Sequence, residues 1–237
     1  MPDRTLTARL KEDNWDLHQI AERGEGPARL MRGEGTREDY VTLLEQEYLW
    51  HVALDEAVCA ARNADQRLAD LIPESHLRAL HLADDLEYFD ACPSRVSATP
   101  GTTRFIEYIE NAEQDPMAVL GLHYVRTGAT NGNRFVAKKL RPMFELPESG
   151  EGTRHLDPWG AEQRTIWDTF KAALDATEFT ADEQDRIFRA VRDSYLYHIG
   201  MGHPDRQPSE DEILAAHAET LDKKAFDEAH AVKPASA

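Results

Sequence analysis

The chain has 237 residues, with 27 Lys+Arg against 44 Asp+Glu and a formal charge of −17, which sets it apart from nucleic-acid binders, whose grip on phosphate rests on basic patches. At 41% apolar and 30% charged residues it can bury a core beneath a solvated surface, so it is no disordered chain. No uncharged apolar run approaches the roughly 18 residues that span a bilayer; residues 1–15 carry Asp3, Arg4, Arg9, Lys11 and Glu12 where a secretion signal would be apolar; and Cys59 and Cys92 form no CxxC pair. A cytoplasmic protein without disulfides and without a nucleic-acid or membrane partner is expected.

Period-3.6 patterning with repeated start signals predicts roughly seven or eight helices and no strand, an all-α fold. Leu6, Leu10, Leu17 and Ala21 mark a first helix ending near Gly24, Gly26 and Pro27. Thr36 caps a second, with Tyr40, Leu43, Leu44, Tyr48, His51 and Leu54 on one stripe. Pro73 precedes a third, carrying Leu77, Leu80 and Leu86 before Pro93 stops it. Thr99-Pro100 and Asp115-Pro116 each set a capping side chain before a proline at the first helical position, where its missing N–H costs nothing. The helix opening at Pro116 runs to Pro142, and its middle, Gly128-Ala129-Thr130-Asn131-Gly132-Asn133, is a poor helix composition that predicts a kink.

Glu145 to Leu156 reads as a loop, followed by an apolar stripe of Trp159, Ile166, Phe170 and Leu174. Thr180 to Glu183 is a capping box opening a helix with Ile187, Val191, Tyr195 and His198 inward, broken by Gly200, Gly202 and Pro204. A second box, Ser209 to Glu212, starts an amphipathic stretch with Ile213, Leu214, Leu221 and Phe226, to pack on the body or on a partner, and the tail after His230 frays. The expected organisation is one helical domain over 1–204 with an appendage over 205–237.

His18 stands beside the apolar edge of the first helix, with Lys11 seven residues before it and Glu22 four after. On a continuous helix seven residues span about 10.5 Å at nearly one azimuth, the distance from a haem iron to its propionate edge. Glu22 could take a hydrogen bond from the second imidazole nitrogen and so fix the ligand's tautomer. Gly128 and Gly132 either let backbone approach a flat ligand or merely ease a helix crossing. His51 reads equally as a core histidine bonded to backbone or as a polar group of a site. His123 and His198 read as structural, and Asp84, Asp85 and Glu87 as a solvated helix face. Motifs for nucleophilic hydrolysis or phosphate cradling are missing.

Several blocks in order resemble one known family, the haem oxygenases of the biliverdin-producing type, over about Leu10 to Met201. They are His18 with Thr36-Arg37-Glu38, Tyr48 and Val52-Ala53-Leu54-Asp55-Glu56; Ile72-Pro73-Glu74 through Asp85-Leu86-Glu87-Tyr88-Phe89; Thr99-Pro100, Tyr124-Val125-Arg126 and Lys138-Lys139; and Thr180 to Ile199. The resemblance implies an all-α fold holding haem, at once cofactor and substrate, between a proximal and a distal helix. It also implies ring opening by O2 and an external reductant to biliverdin, CO and ferrous iron. His18 would be the axial ligand, with Lys11, Tyr124 and Lys171 facing the propionates; Asp175 stands near the place of a family arginine.

The distal segment departs from the family. Where relatives read G-D-L-S-G-G, with an aspartate holding proton-donating water, the aspartate position falls on Thr130 or, one register over, on Ala129, and the supporting tyrosine aligns with His51. Thr130, Asn131 and His51 still supply donors and acceptors for water. The resemblance therefore implies either a haem oxygenase with a rebuilt distal network or a haem-binding or haem-sensing protein with no activity or a peroxidase-like one. With no flavin or nicotinamide fingerprint in the chain, the oxygenase reading requires an electron donor such as a ferredoxin or an NAD(P)H-dependent reductase.

Overall fold

A computed structural model describes residues 4–23, 30, 32–219 and 221, all helices and connections with no strand among them. Gly24, Gly26, Pro27, Phe226 and the tail after His230 lie outside the described residues. Thr5 Oγ1 accepts from the Ala8 amide and starts α1 (Leu6–Glu12); α2 (Trp15–Glu22) follows after a break at Asp13 and Asn14. The break corrects the expectation of one helix from Leu6 to Ala21. Asn14 is buried, and its Nδ2 donates to the Leu10 carbonyl at 2.9 Å, the acceptor its own amide would need to continue the helix. Lys11 and His18 therefore do not share one helical face.

α3 (Arg37–Ala64) opens on a capping box of Thr36 and Asp39 and buries Tyr40, Leu44, His51, Leu54 and Val58. Asp65 ends it and at once starts α4 (Gln66–Leu71), a short helix with no periodic stripe to announce it. The chain then makes a 3₁₀ turn over Glu74–His76 before α5 (Ala79–Tyr88). That shifts the expected third helix: Leu77 precedes it and Leu80 is 80% exposed, while Leu86 faces inward as expected and Leu82 joins it. Asp85 also departs from the solvated-face reading. It is fully buried and accepts from the amides of Arg154 and His155 and from His155 Nδ1, each at 2.9 Å, so it pins the 145–162 connection to α5.

Thr99 and Asp115 cap α6 (Pro100–Ala112) and α7 (Pro116–Met143), and both prolines sit at the helix start. α7 runs without a break through 128–133, where Thr130 Oγ1 and Asn131 Nδ2 donate back to the carbonyls of Thr127 and Gly128. α8 (Gln163–Ala176) and α9 (Ala181–Gly200) follow, the second on a Thr180–Glu183 capping box. α7 and α9 pack closely because position 121 is glycine: a Cβ there would meet the Ile187 carbonyl oxygen at 2.6 Å. Val119, Leu120 and Leu122 join Leu54, Val58, Phe105, Ile187 and Val191 in the main core. α10 (Glu210–His217) packs on the body, with Ile213 against Leu17 and Ile20 of α2, and Arg192 bridges Asp16 and Glu210 at 3.0 and 2.6 Å. Among the described residues no helix is long and apolar enough to cross a membrane.

Candidate functional site

His18 lies on α2, after the break, and packs against α9. Its ring stacks on Trp15 at 4.8 Å between centroids and meets Tyr195 of α9 edge-on at 5.6 Å, and its side chain keeps 34% of its surface exposed. Glu22, one turn on, sets Oε2 3.8 Å from His18 Nδ1. Burial, then the neighbouring Tyr124 and Glu22, holds the Tyr195 phenol protonated far above neutrality. Tyr124 of α7 is likewise buried and raised, and its ring lies 5.2 Å from Trp167 of α8. Lys171 Nζ is 5.5 Å from the same indole and pairs with Asp168 at 3.0 Å.

Gly128 and Gly132 lie one turn apart on one face of α7, yet they meet different surroundings. A Cβ at 128 would touch Trp167 Cη2 at 3.2 Å, whereas at 132 nothing lies within 4 Å. The face is thus covered by an indole at one end and open at the other, and Ala129 is exposed beside it. Lys11 is exposed on α1, beyond the break. Asp175, near the place of the family's arginine, accepts from the Thr7 amide and hydroxyl at 2.8 and 2.7 Å and so ties α1 to α8.

Thr130 and Asn131 meet on Gln163, a fully buried residue at the start of α8, whose Nε2 donates to Thr130 Oγ1 at 2.5 Å and reaches Asn131 Oδ1 at 3.4 Å. Gln163 Oε1 is buried with no partner among the described residues, an acceptor left unsatisfied by the fold. His51 makes no hydrogen bond to either. Its Nδ1–H donates to the Glu47 carbonyl at 2.8 Å, which leaves Nε2 as an acceptor, and burial with the charge of Arg126 keeps the ring neutral.

The connection runs through a pair that the sequence analysis did not single out. Asp55, one turn after His51 on α3, binds Arg126, one turn before Thr130 on α7, at 2.5 Å in a buried ion pair. Asp55 Oδ2 also accepts the amides of Arg78 and Ala79 at 2.8 Å. Arg126 donates to His123 Nδ1 at 3.1 Å, so His123 carries its proton on Nε2, facing Thr127 Oγ1 and His76 Nδ1. His51, Asp55, Arg126 and Thr130 make one polar face between α3 and α7. The signal for it was present, since 51 and 55, like 126 and 130, stand four apart on apolar helices. Trp167 and Gln163 gave no comparable signal.

The fold defines the class. The structure matches the heme oxygenase of Leptospira interrogans with a TM-score of 0.76 at 21% identity, over 84% of this chain and 98% of that one. It matches heme oxygenase-2 from Synechocystis sp., solved with heme and NO, with a TM-score of 0.77 at 21% identity over 95% and 91%. The architecture is the all-α haem oxygenase fold.

In sequence, Heme oxygenase 1 of Homo sapiens is 23% identical over 199 residues, covering 82% of this chain and 69% of that protein. The Heme oxygenase family model matches residues 4–203, and the chain belongs to that family.

Proposed function

We propose that the protein is a haem oxygenase that opens haem to biliverdin, CO and ferrous iron, using O2 and electrons from a ferredoxin or an NAD(P)H-dependent reductase. The observation that carries this reading is the site itself: His18 on α2, backed by Glu22 at 3.8 Å and walled by flat rings, with an open glycine face on α7. These residues suit haem. A neutral imidazole with a carboxylate on its Nδ1 side has Nε2 left for iron, and aromatic walls suit a planar macrocycle. His18 would hold the iron, Gly132 and Ala129 at the open end of the face would let α7 backbone approach the ring, Gly128 would do so only with the Trp167 indole moved aside, and Lys171, Tyr124 and Lys11 would meet the propionates. When bound, haem supplies both the iron that engages O2 and the ring carbon that is attacked.

The distal side of this reading rests on Thr130, Asn131 and His51. His51 Nε2 and Gln163 Oε1 are the acceptors that would hold water there, with Gln163 Nε2 already bonded to the Thr130 hydroxyl. Asp55 and Arg126 hold the two helices that carry these groups. Reductant supplied to the haem-loaded chain in air is expected to give the biliverdin spectrum.

A second reading, a haem-binding or haem-sensing protein with no ring opening or with peroxidase-like activity, is favoured by one observation. Segment 128–133 holds no carboxylate, and Thr130 spends its hydroxyl proton on the Thr127 carbonyl. Stable oxygenated haem without biliverdin, converted to turnover by Thr130→Asp, would establish it over the first.

A further inference from the structure

His51 is poorly built to supply a proton. Its Nδ1–H is committed to the Glu47 carbonyl, its Nε2 is bare, and burial beside Arg126 opposes charging the ring. Thr130 donates to a backbone carbonyl and Asn131 titrates nowhere near neutrality. If the site needs an acid, it lies elsewhere.

One carboxyl is placed for it. Glu47 precedes His51 by one turn of α3, its Oε2 3.7 Å from His51 Nδ1 and its side chain 23% exposed. No Lys or Arg pairs with it among the described residues, and burial, opposed by the Trp50 indole N–H that faces it, pushes it up to about 7. It lines a cleft of about 320 Å³ between α3, the start of α6 and the end of α9, together with Leu30, Leu43, Gln46, Thr102 and Met201. The rim, at Asp39, Thr42 and Thr99, is exposed to solvent. The titratable groups facing Glu47 are Asp39 on the cleft wall, Tyr40, whose phenol Glu47 helps to raise, and His51, itself influenced by Arg126, His155 and Arg78. The cleft thus brings solvent to a carboxyl that lies one helical turn from His51.

We propose that Glu47 is the proton-supplying carboxyl of the site: it takes a proton from solvent in the cleft and passes it through water to the polar face that begins at His51. Glu47 acts through that water and does not touch the haem, so it is a positioning residue. The proton leaves Glu47 as carboxylate, and the cleft water returns it from bulk. This inference rests on the oxygenase reading above, and it gives the missing distal carboxylate a replacement on a different helix.

The test uses the full chain and Glu47→Gln, Glu47→Asp and Glu47→Ala. Infrared difference spectra of the haem-free protein should show a protonated carboxyl band that titrates near pH 7 and is absent in Glu47→Gln. With haem and reductant, Glu47→Gln should bind haem like the parent yet form biliverdin about 10²-fold more slowly, the loss expected for a displaced general acid. Glu47→Asp should recover part of the rate, and formate should rescue Glu47→Ala, which a packing role would not allow. No band titrating near pH 7, or an unchanged rate and pH profile in Glu47→Gln while the parent turns over, overturns the role of Glu47 alone. A parent that binds haem but never yields biliverdin overturns the oxygenase reading and this inference with it.

Discussion

Gly132→Ala is expected to stabilise the haem-free protein, although Gly132 belongs to the proposed site. Glycine inside a helix is less favourable than alanine by about 0.8–1.0 kcal/mol. A Cβ at 132 has nothing within 4 Å, so no steric cost offsets that gain. Gly128→Ala is different: the new methyl would meet Trp167 Cη2 at 3.2 Å and Cζ2 at 3.5 Å, and the indole is held by the rings of Tyr124 and Phe170 at 5.2 and 5.9 Å. Its gain should be close to zero or reversed. For a chain of this size 1 kcal/mol moves Tm by about 2–4 °C, so thermal or urea unfolding of the two variants separates them. If the glycine is kept because α7 must approach a flat ligand, Gly132→Leu should fold as well as the parent and bind haem more weakly. A destabilised Gly132→Ala, or unaltered haem affinity in Gly132→Leu, would show that position 132 is not an open approach to a flat ligand.

Asp55→Asn leaves the buried Arg126 guanidinium without its counter-charge and should cost roughly 3–5 kcal/mol, read as a lower urea midpoint; a loss below about 1 kcal/mol would contradict the buried pair. Burial, then the charges of Arg78 and Arg126, lowers His76 to about 4, and burial lowers His123 and His51 too. The unfolded chain takes up those protons near pH 6.5 while the native state refuses them, so stability is complete above about 6.5 and drains as pH falls toward 4. His76→Gln should make that decline shallower, and a slope equal to the parent's would contradict the assignment.

Much of the fold was legible because its signals are local. Thr36, Thr180 and Ser209 cap their helices through boxes formed by side chains three residues apart, and Pro100 and Pro116 start theirs. Failures came where a tertiary partner overrode a local pattern. Asn14 reads as an ordinary helical position until its side chain takes the Leu10 carbonyl, and Asp85 reads as a surface acid until the distant 154–155 backbone supplies its donors. Leu80 lies on a period set by a helix start that the 3₁₀ turn at Glu74–His76 displaces.

The site divides the same way. His18 with Glu22 is an i,i+4 pair visible in sequence, and the structure holds them 3.8 Å apart. Trp167 beside Gly128 and Gln163 beneath Thr130 are contacts between separate helices that no spacing rule reaches, whereas the 51/55 and 126/130 spacings marked the two faces that Asp55 and Arg126 join but not that they would meet.

Haem binding by this chain turns on the imidazole at position 18 as the ligand to iron. Haem titrated into the parent and into His18→Ala, followed by absorbance, tests it most directly, with free imidazole then added to the variant. A strong Soret band is expected in the parent, a weakened and shifted one in the variant, and recovery on adding imidazole. The same Soret band and affinity in both proteins, or no binding in the parent at micromolar haem, would contradict it.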